Sequence, residues 1–294
     1  MPAEATNWRR LRSNFAISCT FLLLHPATLL ALPRSRLNER AVSEPAELKP
    51  LWYLDRGRAL FAGPLGRNAS HCHSTPVFLA GLYGSFALRL GGAEWLTCRT
   101  AAIPAGLTYE FDMGGAPLAV LYLEPSVAGA EHLALLVRNA REVQGALVGD
   151  DGEIALLRQM YEDRDSPSWI ESGLDDLIGF ASRRARPLDP RVSRLADALH
   201  ESYGDLSPVA ATVGLSASRF QHVFTEQVGV PFRRYRAWCR MRAAISEAAS
   251  GSNLTVAAHA AGFADQAHFS RAFRQTFGAP ASPTLSNIRG RQSV

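Results

Sequence analysis

The chain has 294 residues, 47% of them apolar and 20% charged, and a formal net charge of +4. That length accommodates two domains with sizeable cores, and the apolar content is ordinary for a soluble protein. The four cysteines, Cys19, Cys72, Cys98 and Cys239, are scattered without zinc-site spacing, which excludes a cysteine-built zinc module and fits a reducing cytoplasm. Charge is unevenly placed. From Pro187 onward twelve Arg stand against seven acids, a net +5, which leaves the front near −1. Lysine is confined to Lys49, so phosphate contacts fall to Arg and neutral donors. A basic back half behind a near-neutral front suits a nucleic-acid module joined to a sensing module.

Residues 1–48 read as an N-terminal arm of uncertain character. Within it, residues 15–32, FAISCTFLLLHPATLLAL, follow WRRLR and resemble a signal peptide or a short membrane span. His25-Pro26 interrupts the run, and no sharp small-residue cleavage site follows. A flexible arm or a misplaced translation start is the preferred reading, with a membrane segment as the alternative.

Residues 49–128 show short apolar runs split by turn residues, among them ALFAG, TPVFLAGLYG, SFALRLGG, AEWLTC, LTYEFDMGG and APLAVLYLEP. This spacing predicts an all-β sandwich or barrel. Strand alternation puts His71 and His73 on one face and Cys72 on the other. His71-Cys72-His73 and Ile103-Pro104-Ala105-Gly106 resemble the two half-motifs of a cupin barrel. Metal-binding cupins add a Glu shortly after the second His, where this chain has Thr75, Pro76, Val77 and Phe78. They add a His after the Pro-x-Gly, where it has Tyr109. Two imidazoles alone do not make a closed or catalytic metal site, so neither metal nor cofactor is expected. His71, His73 and Tyr109 form the candidate effector pocket inside the barrel. Plain strand packing is the alternative for all three.

Residues 129–186 read as a helical connector. Leu133, Leu136, Val137, Ala140 and Val143 follow one helical stripe. Ile170, Leu174, Leu177, Ile178 and Ala181 follow a second, after Pro167. Such amphipathic helices need a partner surface, within the chain or across a dimer. The linker Ser182-Arg183-Arg184-Ala185-Arg186-Pro187 is basic and proline-punctuated, and Asp189-Pro190 opens the next helix as cap and first residue.

Residues 187–294 contain one pattern twice: LSPVAATVGLSASRFQHVFTEQVGVPF at 206–232 and LTVAAHAAGFADQAHFSRAFRQTFGAP at 254–280. Each predicts a helix, a glycine turn (Gly214, Gly262) and a capped second helix (Ser216, Asp265). In the first copy Ser207-Pro208 opens the leading helix. Phe220, Val223, Phe224 and Val228 form the buried stripe of one second helix, and Phe269, Ala272, Phe273 and Phe277 that of the other. Gly229 and Gly278 end them. Between the copies, about 19 residues from Pro231 to Ala249 predict one helix of roughly 28 Å. Two such units imply a reader of two adjacent major grooves of double-stranded DNA.

Gly262-Phe263, Asp265, His268-Phe269-Ser270-Arg271, Phe273-Arg274 and Gly278 together resemble the AraC/XylS family of bacterial transcription regulators, over about residues 192–283. The Tyr235 to Ala244 stretch resembles the family's linker helix. The end departs from the pattern: Pro280 comes early, Pro283 follows, and Thr284-Leu285 holds the place of an aromatic-Arg pair. The resemblance implies an α+β chain: an N-terminal cupin-like β-barrel and a C-terminal all-α domain of two helix-turn-helix units. It implies a cytoplasmic regulator, by family habit an activator, controlled by a small-molecule effector. RNA polymerase and a second copy of the chain are its candidate protein partners.

The stripes leave Ser218, Gln221, His222 and Thr225 facing outward on the first recognition helix. Gln266, His268, Ser270, Arg271 and Arg274 face outward on the second. Gln matches adenine N6/N7 and Arg matches guanine O6/N7, so Gln221 and Arg271 lead as base readers. Arg219 reaches phosphate or an internal acid, and Arg233, Arg234 and Arg236 reach phosphate or stand as solvated charge. The alternative to a regulator is a cupin-type enzyme with an accessory DNA module. The missing Glu and His ligands argue against it, and no nucleophile–base or paired-carboxylate arrangement replaces them.

Overall fold

A computed structural model describes residues 48–125, 130–182, 190, 214, 216–285 and 288–292. The sequence expectations for residues 15–32, for the linker 182–187 beyond its first residue, and for Asp189, Ser207 and Pro208 lie outside the described residues. So does the leading helix of the first repeat. Among the described residues no helix is long and apolar enough to cross a membrane.

The front of the chain is β-rich, as its apolar runs predict. Its strands are β1 (Leu51–Leu54), β2 (Arg58–Pro64), β3 (Val77–Gly81), β4 (Phe86–Leu90), β5 (Leu96–Cys98), β6 (Thr100–Ile103), β7 (Tyr109–Asp112) and β8 (Pro117–Leu123). Further strands follow at β9 (Val137–Arg138), β10 (Arg141–Val143), β11 (Ala146–Gly149), β12 (Asp151–Gly152) and β13 (Arg289–Gln292). One sheet runs in the order β10-β11-β6-β3-β8-β2-β1-β13, and a smaller one in the order β5-β4-β7. With the two-stranded sheet β12-β9, the ladders of the described residues thus form three sheets rather than a closed barrel. The segment before β3 pairs with β7 through the isolated bridges His71↔Tyr109 and Arg67↔Asp112 rather than through a regular ladder. Asn68 interrupts regular pairing there: its side-chain carbonyl accepts from the Phe111 amide at 2.7 Å.

Alternation divides the large sheet into two apolar faces. Trp52, Phe61, Leu79 and Val120 point to one, and Tyr53, Leu60, Phe78 and Leu121 to the other. The second face is covered by α1 (Ala130–Ala134), α2 (Ala155–Glu162) and α3 (Ile170–Ser182). Ile170, Leu174, Leu177 and Ile178 of α3 are buried there, so the connector's second stripe finds its partner within the chain. The Ala181 side chain lies outside the described residues.

The first connector stripe is not a helix. After Leu133 in α1 the chain turns into β9 to β12. Asn139 and Gln144 both have φ of 50° and Gly145 has φ of 80°. Gln144-Gly145 is thus a two-residue, left-handed turn that joins Val143 to its partner Ala146. Turn geometry overrides the four-residue spacing of Leu133, Leu136, Val137, Ala140 and Val143.

The back of the chain is helical: α4 (Ala217–Val228), α5 (Phe232–Ala249), α6 (Leu254–Ala260), α7 (Gln266–Phe277) and α8 (Ala281–Leu285). The caps fall where the sequence puts them. Ser216 accepts from the Arg219 amide at 3.3 Å and Asp265 from the His268 amide at 2.6 Å. Gly229 and Gly278 end α4 and α7 in the left-handed region, with φ of 83° and 67°. Phe220, Val223, Phe224 and Val228 are buried on α4, and Phe269, Phe273 and Phe277 on α7. Near the end of the chain Leu285 packs into the core, and β13 pairs in parallel with β1.

Candidate functional site: two exposed helices and a sealed domain junction

The exposed faces of α4 and α7 are separate from everything that holds the two halves together. On α4, Ser218, Gln221 and His222 are exposed and Thr225 is half-buried. The Thr225 hydroxyl donates to the Gln221 carbonyl at 2.8 Å, so its proton is already committed to the helix. On α7, Gln266, His268, Arg271 and Arg274 are exposed and Ser270 is half-buried. Gln266 Oε1 accepts from Thr255 Oγ1 at 2.8 Å, which ties the start of α7 to α6. The His268 ring stands edge-on to Phe263 at 5.3 Å. The nine side chains thus fall into two groups, one per helix, joined by α5, whose 18 residues span about 27 Å.

Not all the arginines of α5 are free to meet a phosphate. Arg240 donates to the Ala261 carbonyl at 3.2 Å and stacks 4.6 Å from the Phe263 ring centre, backing the Gly262 turn. Arg234 reaches the backbone and thiol of Cys72 in the front domain.

The junction is built around Glu124, which is fully buried at the end of β8. Its carboxylate accepts from Tyr235 Oη at 2.6 Å, Trp238 Nε1 at 2.7 Å and Arg242 Nη1 at 2.8 Å, all on α5. Arg242 also donates to the Arg58 carbonyl at 3.2 Å and to the Asp55 carbonyl. A carboxylate can be buried only when its charge and lone pairs are answered, and one turn-spaced face of α5 answers them here. The sequence reading missed Glu124. The available signal was a single acid ending the apolar run APLAVLYL.

His71, His73 and Tyr109 come together as expected, beside this junction. Ring centres lie 4.9 Å apart for His71–His73, 4.3 Å for His71–Tyr109 and 5.8 Å for His73–Tyr109. All three are buried, whereas Cys72 is only half-buried. His71 Nδ1 lies 2.9 Å from the Ala69 carbonyl and 3.1 Å from Asn68 Nδ2, so this nitrogen is engaged in either tautomer. His73 Nδ1 has no hydrogen-bond partner. Among the described residues no three His, Cys, Asp or Glu side chains stand close enough to share a metal ion. The C-terminal end of α7 closes the space: the Ala69 amide donates to the Gly278 carbonyl at 2.8 Å, and Asn68 Nδ2 to the Phe277 carbonyl at 3.3 Å. A cavity of about 30 Å³ remains, lined by His71, Tyr109 and Tyr122 from one side and Phe277, Ala279 and Thr284 from the other.

Burial pushes the His71 pKa down to about 4, against a smaller opposing pull from the Ala69 hydrogen bond. Burial also holds His73 well below its ordinary value. Both are neutral in the folded chain, while an unfolded histidine titrates near 6.5. Their stabilisation is therefore complete above pH 6.5 and is lost as pH falls towards 4, because the unfolded chain takes up protons that the folded one refuses. At pH 5, His71 alone costs about 2 kcal/mol relative to pH 7.5, and His73 adds to it. Urea titrations at the two pH values should show this loss, and His71→Gln should reduce it.

The comparisons agree with this division. Residues 209–287 match the family model described as a helix-turn-helix domain. The arabinose operon regulatory protein of Salmonella typhimurium is 33% identical over 101 residues, which is 33% of this chain and 36% of that protein. The Escherichia coli protein of the same name is 33% identical over 101 residues, 33% of this chain and 35% of its own. The chain thus spans about a third of the length of the curated relatives it matches. The structure of ToxT from Vibrio cholerae with unsaturated fatty acid bound has a TM-score of 0.52 at 14% identity, covering 78% of this chain and 95% of that one. An apo form of a ToxT point variant from the same organism gives a TM-score of 0.53 at 16% identity, with 78% and 96% covered. The likeness to ToxT extends the shared fold across both domains. Residues 209–287 thus form a helix-turn-helix domain similar to that of the arabinose operon regulatory proteins.

Proposed function

We propose that this protein is a cytoplasmic, sequence-specific DNA-binding transcription regulator whose front domain senses a small molecule. The observation that carries this reading is the pair of exposed, capped helices α4 and α7, held apart by the single helix α5. Two named relatives are operon regulators, and ToxT is described with a fatty acid bound, which supports a regulator with a ligand-binding front domain. Activation, contact with RNA polymerase and homodimer formation belong to the same proposal through the family resemblance. A metal-dependent cupin enzyme is disfavoured because Tyr109 stands in place of the second-motif His and His71 Nδ1 is occupied by Ala69. Elemental analysis of protein purified without chelator should find well under one transition metal per chain. A stoichiometric metal lost in His71→Ala would restore the enzyme reading.

Footprinting tests the two-groove geometry. The protein should protect two patches about 10 base pairs apart on one face of the duplex. A single short patch would rule the geometry out. Arg271 and Arg274 are expected to differ. Arg271→Ala should lose about 1–3 kcal/mol against one base pair only, as a bidentate Arg–guanine contact does. Arg274→Ala, nearer the helix end, should weaken all sequences alike and lower the salt slope by about one unit. A base-substitution series at two salt concentrations separates them. Equal weakening of every operator variant by Arg271→Ala would remove its base-reading role.

A further inference from the structure

We propose that Phe277 is an internal plug in the effector pocket. The effector is then an uncharged aromatic molecule with a hydrogen-bonding group, which takes the place of that ring and so undocks the DNA module. This deepens the sensor reading above and rests on it. The Phe277 ring packs on Phe273 of its own helix at 4.4 Å and on its other side enters an aromatic cage. Its centre lies 5.5 Å from His73, 6.0 Å from Tyr122, 6.1 Å from Trp52 and 6.0 Å from Trp238. Three of those four rings belong to the front domain. The cavity beside it, about 30 Å³, is of the order of a single water. No effector of useful size fits while Phe277, Ala279 and Thr284 stay where they are. Removing the Phe277 side chain opens room for one aromatic ring, and the cage then offers it the same edge and face contacts.

The polar groups left over define the rest of the ligand. His73 Nδ1 is buried without a partner, and the Tyr109 and Tyr122 rings stand 5.8 Å and 5.0 Å from its ring. A buried polar atom left unmatched costs free energy that a ligand donor or acceptor recovers. None of the lining residues is charged, since burial keeps His71 and both tyrosines neutral. Arg242 of the junction is already matched to Glu124, and Arg234, whose charge is felt at His73, lies exposed against Cys72. A carboxylate entering here would be desolvated with no buried counter-charge, which favours the neutral form of an otherwise equal ligand. Because the plug is continuous with Gly278, whose carbonyl is bonded to Ala69, expelling it breaks the junction at that end of α7.

The test uses the full chain and matched probes: phenol, benzamide and indole against benzoate and indole-3-carboxylate. Binding is read by titration calorimetry and by the fluorescence of Trp52, and junction opening by hydrogen exchange of the Ala69 amide. At least one neutral probe should bind ten times or more tightly than its carboxylate counterpart and speed exchange at Ala69. Phe277→Leu should tighten neutral binding several-fold, and Phe277→Ala, if it folds, should tighten it further. Preference for the carboxylates, no binding by any probe, or binding without faster exchange would each overturn the plug. Footprinting without probes keeps the two readings apart. Its failure removes the regulator and leaves the pocket result standing, whereas a normal footprint with a failed probe series removes only the plug.

Discussion

Glu124→Ala should cost the full chain about 3–5 kcal/mol, the range for removing one partner of a buried ion pair. The substitution strands the Arg242 guanidinium, whose side chain is 7% exposed, and leaves the Tyr235 and Trp238 donors without their acceptor. Glu124→Gln keeps the shape and one acceptor oxygen, so it should cost less. Replacing both charges, Glu124→Leu with Arg242→Leu, should recover much of the loss because nothing charged is then buried. Urea denaturation of the three variants checks the order. A Glu124→Ala cost under about 1 kcal/mol would mean the junction is held by apolar contact alone. The loss falls on docking, so hydrogen exchange should rise at 232–242 before it rises in β3 or β8.

Gly278→Ala should be the most damaging small substitution at the other end of the junction. The residue has φ of 67°, which costs a side chain about 1–2 kcal/mol by itself. A Cβ there would also press on the Ala69 carbonyl and stand 2.9 Å from His71 Nδ1 and 3.0 Å from the Ala69 nitrogen. Two of those atoms are backbone and cannot swing aside. Gly262→Ala is the control, because φ is 73° and the nearest atom, on the Arg240 guanidinium, is 3.7 Å away, an ordinary van der Waals contact. Gly262→Ala should cost about 1 kcal/mol. Gly278→Ala should cost about 2 kcal/mol more. Equal melting temperatures for the two variants would show that the α7 end does not bear on the front domain.

The features legible in the sequence are those whose physics is local. A cap needs a hydroxyl or carboxylate three residues from an amide, and Ser216 and Asp265 satisfy that within their own repeat. The Phe stripes and the glycine exits are equally short-range, so both recognition helices and the strand run from β2 to β8 could be read directly. The connector failed where two local signals competed. A helical spacing of apolar residues coincided with left-handed turn residues at 139, 144 and 145, and the turns won. Glu124 was illegible for a different reason. Its partners lie more than a hundred residues away on α5, and no window of sequence holds both. Phe277 shows the same limit in milder form. Its period assigns it to the core of the DNA module, which is correct, but its second neighbourhood, against Trp52, Tyr122 and His73, depends on docking.

The parallel pairing of β13 with β1 has a consequence for biosynthesis. Leu51 is among the first described residues to leave the ribosome, and its ladder partner Arg289 is among the last. Throughout most of translation the outer edge of β1 carries unpaired amides and carbonyls, a surface on which other chains can add strands. The front domain can gather its sheets early, but among the described residues nothing covers that border until the helical module has been made and brought back across it. Late contacts between distant segments also form slowly. Chains released before residue 289 should therefore aggregate more readily than their intact helix-turn-helix units would suggest, and the exposed β1 edge is where they would join.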